Sequence, residues 1–242
     1  MGGRNMSVWV IIPVKPLVRA KSRLSVALTP EQRQQLAESL MRHTIQVVKP
    51  IPQVAGVLVI SRDTKALSIA REAGVHTVQE SGAPELNHAL MRATQVVSGM
   101  RGEAVLILPA DLPLLAAEDI LSMIALGRED NTMVIATDRA EDGTNAMLTR
   151  PPGLIRYAYG QGSYRRHIAL AEDVGATVKT YSSERLMLDI DVPEDLENYY
   201  RMSAGNTAIP LLEMASSGLM LNTLSTKSAA PKISSSGAGS QG

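Results

Sequence analysis

Four short apolar runs constrain this chain more than any other feature. "SVWVIIPV" (7–14), "AGVLVIS" (55–61), "EAVLILPAD" (103–111) and "TMVIAT" (132–137) are six to nine residues long and rich in Val and Ile. None alternates apolar with polar residues. A strand that is apolar on both sides of its pleat is covered on both faces, as in a parallel sheet between helical layers. Helical periodicity fills the gaps. "LTPEQRQQLAESLMRHTIQVVK" (28–49) opens with Thr29 as N-cap, Pro30 at the first helical position and Gln32 closing a capping box. Its Leu36, Leu40, Met41, Val47 and Val48 share one face. Further helices are predicted near 64–73, 85–98 and 116–126. The rhythm is that of a doubly wound, mostly parallel sheet in a three-layer α/β/α domain.

The second half of the chain is less regular. "EDGTNAMLTRPPG" and "YAYGQGSYRRH" read as loop-rich. A helix over about 163–174, short strands at 176–181 and 185–190, and a closing helix from Pro193 are expected after them. One domain over 8–203 is predicted, with a flexible extension at 1–7 and a weakly structured or disordered tail at 204–242. The Ser, Ala and Gly richness of "STKSAAPKISSSGAGSQG" motivates the last. "IPLLEMASSGLMLNTL" could form a weak amphipathic helix.

The chain balances 24 basic against 24 acidic residues, so overall charge gives no reason to expect nucleic acid or an anionic membrane as partner. Cysteine is absent, which excludes disulfides and thiolate metal sites. The histidines at 43, 76, 88 and 167 show no metal-ligand spacing, and His43 on its amphipathic helix reads as structural. Six Tyr, one Trp and no Phe make a poor stacking platform for single-stranded nucleic acid. No apolar run approaches the length of a membrane span, and the first residues lack a secretion signal. A soluble cytoplasmic protein is expected.

Local charge carries the functional signal. "VKPLVRAKSRL" places Lys15, Arg19, Lys21 and Arg23 just beyond the first strand, where ligands bind in such sheets. It holds neither GxxxxGK nor GxGxxG, so side chains rather than a glycine loop would meet an anion. A merely solvated loop is the alternative. "LILPADLPLL" delivers Asp111 at the end of a buried strand, although a turn aspartate would look the same. "LDIDVPEDL" puts Asp189 and Asp191 on one face if extended. Such a pair needs a cation between its members or holds a proton, and oxygen ligands suit Mg²⁺. Asp191 could instead cap the helix at Pro193. "DGTNAML" and "YGQGSYRRH" offer Thr144 and Ser163 hydroxyls with Gly143, Gly160 and Gly162 for close approach. Here too Ser163 could be a plain N-cap, with Arg165 and Arg166 on a wet face. Cations and an acidic metal seat at one sheet edge suit nucleotide transfer from a triphosphate.

The ordered motifs "PVKPLVRAKSRL", "ELNHAL", "LPADLPLL", "DGTNAML", "YGQGSYRRH" and "LDIDVPEDLENY" resemble the 2-phospho-L-lactate guanylyltransferase family of coenzyme F-420 biosynthesis. That family includes phosphoenolpyruvate guanylyltransferases and belongs with nucleotidyltransferases related to the molybdenum cofactor guanylyltransferase. The resemblance implies a Rossmann-like nucleotidyltransferase sheet, and GTP plus a phosphorylated three-carbon acid as substrates. It implies Mg²⁺ on Asp111, Asp189 and Asp191, with Asn87 near the nucleoside, while the charge of the basic loop puts the triphosphate on Lys15, Lys21, Ser22 and Arg23. The same charge argument gives catalysis to Asp111, Lys21 and Lys15, and the resemblance gives the acid to Thr144, Gly160 and Ser163.

Glu85 departs from the glycine common before "LN", "GTNAML" lacks a longer glycine-rich lead, and Tyr157, Tyr159 and Tyr164 replace Phe. Phospholactate, phosphoenolpyruvate and 3-phosphoglycerate stay open as acceptors. So do a pterin or sugar-phosphate acceptor, a glycosyltransferase and a non-catalytic nucleotide-binding module. A homodimer is compatible with all of these.

Overall fold

The computed structural model describes residues 6–82 and 85–203. The first five residues, and the expected tail with its amphipathic segment, lie outside the described residues. Seven strands form one sheet: β1 (Val8–Val14), β2 (Val54–Ser61), β3 (His76–Gln79), β4 (Ala104–Ile107), β5 (Thr132–Thr137), β6 (Thr144–Arg150) and β7 (Thr177–Thr180). Their order is β3-β2-β1-β4-β6-β5-β7. All pairs are parallel except those made by β6, which runs antiparallel to both β4 and β5.

Among the described residues six α-helices cover the sheet: α1 (Pro30–Val48), α2 (Thr64–Glu72), α3 (Leu86–Gly99), α4 (Ala117–Leu126), α5 (Ser163–Asp173) and α6 (Pro193–Ser203). Strand alternation sorts their partners. Val8, Val10 and Ile12 of β1 face α1, α2 and α4 through Met41, Ile45, Ile69, Ile120 and Met123. Trp9 and Ile11 face the opposite layer, with Leu90, Ala93 and Val97 of α3 and Ala171 of α5. Each buried Ile, Leu or Met contributes roughly 1.5–3 kcal/mol from apolar area removed from water. The three-layer architecture expected from the apolar runs is therefore present. The Thr29 capping box also forms, with Gln32 N–H bonding the Thr29 hydroxyl and the Gln32 side chain accepting from Thr29 N–H.

Three expectations need correction. "TNAMLTR" is no loop but β6, buried between β4 and β5. Its polar residues mask an apolar pattern, yet Thr144, Asn145 and Thr149 are all buried beside Ala146, Met147 and Leu148. No strand forms at 185–190, because this segment meets the Asp111 loop through a single backbone bond, Ile190 N–H to Asp111 C=O at 3.0 Å. The chain there still alternates. Leu188 and Ile190 sink into a cluster with Leu24, Leu36, Leu40 and Tyr199, which leaves Asp189 and Asp191 for the other side. Finally, Met6 and Ser7 are docked rather than free. Met6 packs on the core, and Ser7 N–H bonds the Glu103 carboxylate at 2.9 Å.

The antiparallel sense of β6 matters for function. Parallel strands present their carboxyl ends at one sheet edge, and β6 begins there. Thr144 and Asn145 thus reach the same edge as Lys15 and Asp111.

Candidate active site

A cavity of about 600 Å³ runs along that edge, within the range of small-molecule sites. Lys15, Lys21, Asp111, Thr144, Gly160, Ser163, Asp189 and Asp191 all line it. Eight expected site residues, drawn from five separate stretches of sequence, therefore meet.

At the centre, one carboxylate oxygen from each of Asp111, Asp189 and Asp191 lies within 4.8 Å of the others. Lys21 is inserted among them, its Nζ 3.1 Å from Asp111 Oδ2 and 3.6 Å from Asp191 Oδ1. Arg23 Nη1 reaches Asp191 Oδ2 at 3.6 Å from a more exposed position. Burial, then the neighbouring charges of Asp111 and Asp191, push the Asp189 carboxyl up to about 6. The hydrogen bond from Asn145 Nδ2, 3.4 Å from Asp189 Oδ1, and the charge of Lys21 only partly oppose this. A cluster of three oxygen donors with one poorly compensated member can take a divalent metal, and its chemistry fits a hard cation.

Lys21 itself is unusual. It adopts φ 56 and ψ 35, left-handed for a non-glycine residue, which costs on the order of 1–2 kcal/mol. Surrounding contacts hold it there. The loop forms two 3₁₀ turns, at Leu17–Arg19 and Ser22–Val26, with Leu17 and Leu24 buried on either side of Lys21. Asp63 ties the loop to the body, accepting Leu17 N–H at 2.7 Å with one oxygen and capping α2 with the other. Lys15 is exposed at the cavity wall, whereas Arg19 and Ser22 are exposed and are not among its lining.

The segment bearing the aspartates is anchored by a residue that sequence reading missed. Asp119, with no solvent exposure, accepts a bidentate pair from Arg185 at 2.8 and 2.9 Å, the Ser183 hydroxyl at 2.7 Å and the Tyr181 hydroxyl at 3.1 Å. Asn145 adds a bond to Leu186 C=O at 2.8 Å. Asp191 does not cap α6. Its backbone N–H and that of Val192 donate to the Asp195 carboxylate, both at 2.8 Å.

On the β6 side, Ser163 is the first residue of α5 but not its cap. Gly162 takes that position at φ +70, a conformation that favours glycine. The Ser163 hydroxyl instead donates to Thr144 Oγ1 at 3.2 Å, in a buried group that includes His167. His167 was also missed, having no partner of recognisable spacing.

On the other side of β1, Ile60, Leu86 and Ala89 give the cavity apolar lining beside an ion pair, Arg62 Nε to Glu80 Oε1 at 3.3 Å. Asn87 does not line the cavity. Its Oδ1 accepts Tyr159 N–H at 2.7 Å and its Nδ2 donates to Tyr159 C=O at 3.4 Å. It thus fixes the strand of chain leading to Gly160 rather than presenting a free amide. No helix among the described residues is long and apolar enough to cross a membrane.

Known proteins are similar to this chain in sequence and in fold. A family model described as "Guanylyl transferase CofC like" matches residues 8–212. A phosphoenolpyruvate guanylyltransferase of Rubrobacter xylanophilus is 37% identical over 194 residues, covering 79% of this chain and 92% of that protein. One from Nocardia farcinica is 34% identical, covering 86% and 92%. Among solved structures, a protein described as a nucleotide-diphospho-sugar transferase from Desulfovibrio desulfuricans aligns with TM-score 0.70 at 15% identity, covering 92% of this chain and 98% of that one. A CMP:2-keto-3-deoxy-manno-octonic acid synthetase complexed with CTP aligns at 0.57 and 12% identity, covering 83% and 99%. At such identity these last two speak for the fold alone. The family match and the identity to curated relatives over most of their length mean that this chain belongs to the CofC-like guanylyl transferases.

Proposed function

We propose that the protein transfers GMP from GTP to the phosphate of a small phosphorylated acid, releasing pyrophosphate, in coenzyme F-420 biosynthesis. Phosphoenolpyruvate is the acceptor favoured by the names of the curated relatives. The observation that carries the reading is the carboxylate triad around Lys21, set between a polar hydroxyl end and an apolar end of one cavity.

An oxygen of the acceptor phosphate attacks the α-phosphorus of GTP. The new P–O bond joins GMP to the acid, the bond to the bridging α–β oxygen breaks, and its electron pair leaves with pyrophosphate. A phosphate monoester is largely ionised near pH 7, with a second pKa of about 6, so the nucleophile needs no protein base. Charge is the obstacle. Each pair of like charges 4 Å apart costs about 4 kcal/mol at an effective dielectric near 20. Lys21, Lys15 and Arg23 supply the compensating charge, holding the triphosphate and stabilising the departing pyrophosphate. Ser22 stands beside them at the start of the second 3₁₀ turn. Asp111, Asp189 and Asp191 are the residues that would hold Mg²⁺, which, when bound, neutralises phosphate oxygens and makes the α-phosphorus more electrophilic.

Thr144, Ser163 and the backbone at Gly160 take the acid. Ile60, Leu86 and Ala89 take the flat face of the base. Glu80 beside them offers two acceptor oxygens, which match the adjacent N–H donors on the guanine edge. Asn87 serves the site indirectly by fixing Tyr159.

Incubating the protein with GTP, Mg²⁺ and each acid in turn, followed by mass spectrometry, tests this. A GMP–acid adduct with stoichiometric pyrophosphate is expected. Absence of an adduct with every acid, while GTP binds, would return the chain to a nucleotide-binding module.

A further inference from the structure

The hydrogen bonds around His167 decide which proton its imidazole carries. Ala158 N–H, which can only donate, lies 2.9 Å from His167 Nε2. Nε2 must therefore present a lone pair, and the neutral ring carries its proton on Nδ1. Nδ1 is 3.0 Å from Thr144 Oγ1, so it donates there. The Ser163 hydroxyl donates to the same oxygen at 3.2 Å. A hydroxyl oxygen has two lone pairs and one proton. With both lone pairs of Thr144 taken, its proton is all that it can offer, and Thr144 lines the cavity.

We propose that His167 is a positioning residue that fixes the Thr144 hydroxyl as a hydrogen-bond donor to the acid substrate. The pocket then accepts a carboxylate or phosphate oxygen at this point and disfavours a donor. This deepens the proposed function and rests on it for the nature of the ligand, but the tautomer argument does not.

The surroundings leave the ring little freedom. His167 has no solvent exposure, and the Tyr159 ring meets it edge-on with centroids 4.8 Å apart. The nearest charges are engaged elsewhere. Arg166 donates to Ala158 C=O and Gln161 C=O, and the Asp142 carboxylate accepts Gly162 N–H at 2.9 Å. Rotating the imidazole would leave the partly buried Ala158 N–H without this acceptor and break the bond to Thr144 together. Burial, and secondarily Arg166, push the imidazole pKa down to about 4, which keeps the ring neutral at working pH. A ring that donates at one nitrogen and accepts at the other is what this place requires, and an imidazolium could not do it.

The direct test is long-range ¹⁵N–¹H correlation NMR on the wild-type chain, which distinguishes the two neutral tautomers. The Nδ1–H form, unchanged from pH 5.5 to 8, is expected; an Nε2–H form or an imidazolium overturns the proposal. Kinetics supply the second test. His167→Leu should raise KM for the acid roughly 10-fold or more, as for loss of a buried hydrogen bond to the group that meets the ligand, with KM for GTP within about twofold. His167→Gln, whose amide can both donate and accept, should recover part of the loss.

In a Thr144→Val background His167→Leu should add nothing further to the acid KM. Multiplying losses, or equal shifts in both KM values, would make His167 a packing residue and refute the idea. Should His167→Leu fail to fold, the NMR measurement and Thr144→Val alone decide, because an unchanged acid KM in Thr144→Val refutes it equally. Failure of the guanylyl-transfer reading shows separately, as a wild-type chain that makes no adduct whatever its tautomer.

Discussion

Asp189→Asn tests the charge design of the site most sharply, because it should make the protein more stable while abolishing its activity. In the native chain, burial and the neighbouring Asp111 and Asp191 raise the Asp189 pKa from 3.8 to about 6. Ionising it in the folded state therefore costs about 3 kcal/mol more than in the unfolded chain, at 1.36 kcal/mol per unit. The sign follows from proton counts. Between pH 4 and 6 the native state holds a proton that the unfolded chain has released, so stability falls as pH rises through this window. Above pH 6 the full penalty applies.

His167 acts in the opposite sense. Its pKa is about 4 in the native state against 6.5 unfolded, so as pH falls through this range the unfolded chain gains a proton first, and about 3 kcal/mol is lost by pH 4. In the wild type the two slopes nearly cancel. Asparagine keeps the hydrogen bond with Asn145 but cannot ionise. In chelator at pH 7.5, urea unfolding should find Asp189→Asn more stable by about 2–3 kcal/mol. The advantage should vanish near pH 4, exposing a steep acid limb. Magnesium at roughly 1,000 times Kd should reverse the ranking, since binding then adds about 4.1 kcal/mol to the wild type alone. A variant no more stable than wild type at pH 7.5, or a gap independent of pH, would refute the reasoning. So would retained turnover.

Lys21→Met should separate its two roles. Chelated protein loses about 1–2 kcal/mol because three half-buried carboxylates lose their central counter-charge, divalent-cation affinity rises for the same reason, and GTP binding weakens roughly 10-fold. Calorimetric titration with Mg²⁺ and with GTP checks both signs, and parallel changes in the two affinities would remove Lys21 from the phosphate site. Glu80→Gln should raise KM for GTP by about 10-fold, as for loss of a paired acceptor, while leaving KM for the acid unchanged. Competition assays with ATP and GTP read the change in base discrimination, and an unaltered ratio would assign Glu80 to the Arg62 ion pair only.

Much of this was legible in the sequence, for identifiable reasons. Strands apolar on both faces announced β1, β2, β4 and β5, because a short apolar run rich in Val and Ile is too brief for a helix and fits a strand covered on both sides. The Thr29 box was legible because a capping box is local. β6 was not. Thr144, Asn145 and Thr149 are buried polar residues whose partners are tertiary, so propensity read them as loop. The supports of the site escaped for the same reason. Leu17 and Asp63 are 46 residues apart, Asn145 and Asp189 44, Thr144 and His167 23, and Asp119 and Arg185 66. Chemistry-bearing aspartates and lysines could be named from their motifs. What orients them depends on contacts that no short motif contains.

Unfavourable features gather where the proposed reaction takes place. Lys21 is held left-handed, Asp189 is ionised against its environment, and the Tyr159 hydroxyl, buried at the cavity wall, has no hydrogen-bond partner among the described residues. Relaxation would remove each of these unless the surroundings determined it more strongly. Those surroundings are present. Leu17, Leu24 and Asp63 fix the loop on either side of Lys21, and the Asp119–Arg185 clamp, with buried Leu188 and Ile190, fixes the segment before and around Asp189. Asn87 fixes Tyr159 from α3. Rigid elements on three sides thus carry strain into one cavity. A bound cation and a triphosphate would relieve it, since a cation compensates the three carboxylates and phosphate gives the displaced lysine a new partner. Substrate binding is then favoured partly because these groups are poorly satisfied by the protein alone, and the stability gained by Asp189→Asn measures the Asp189 part of that share.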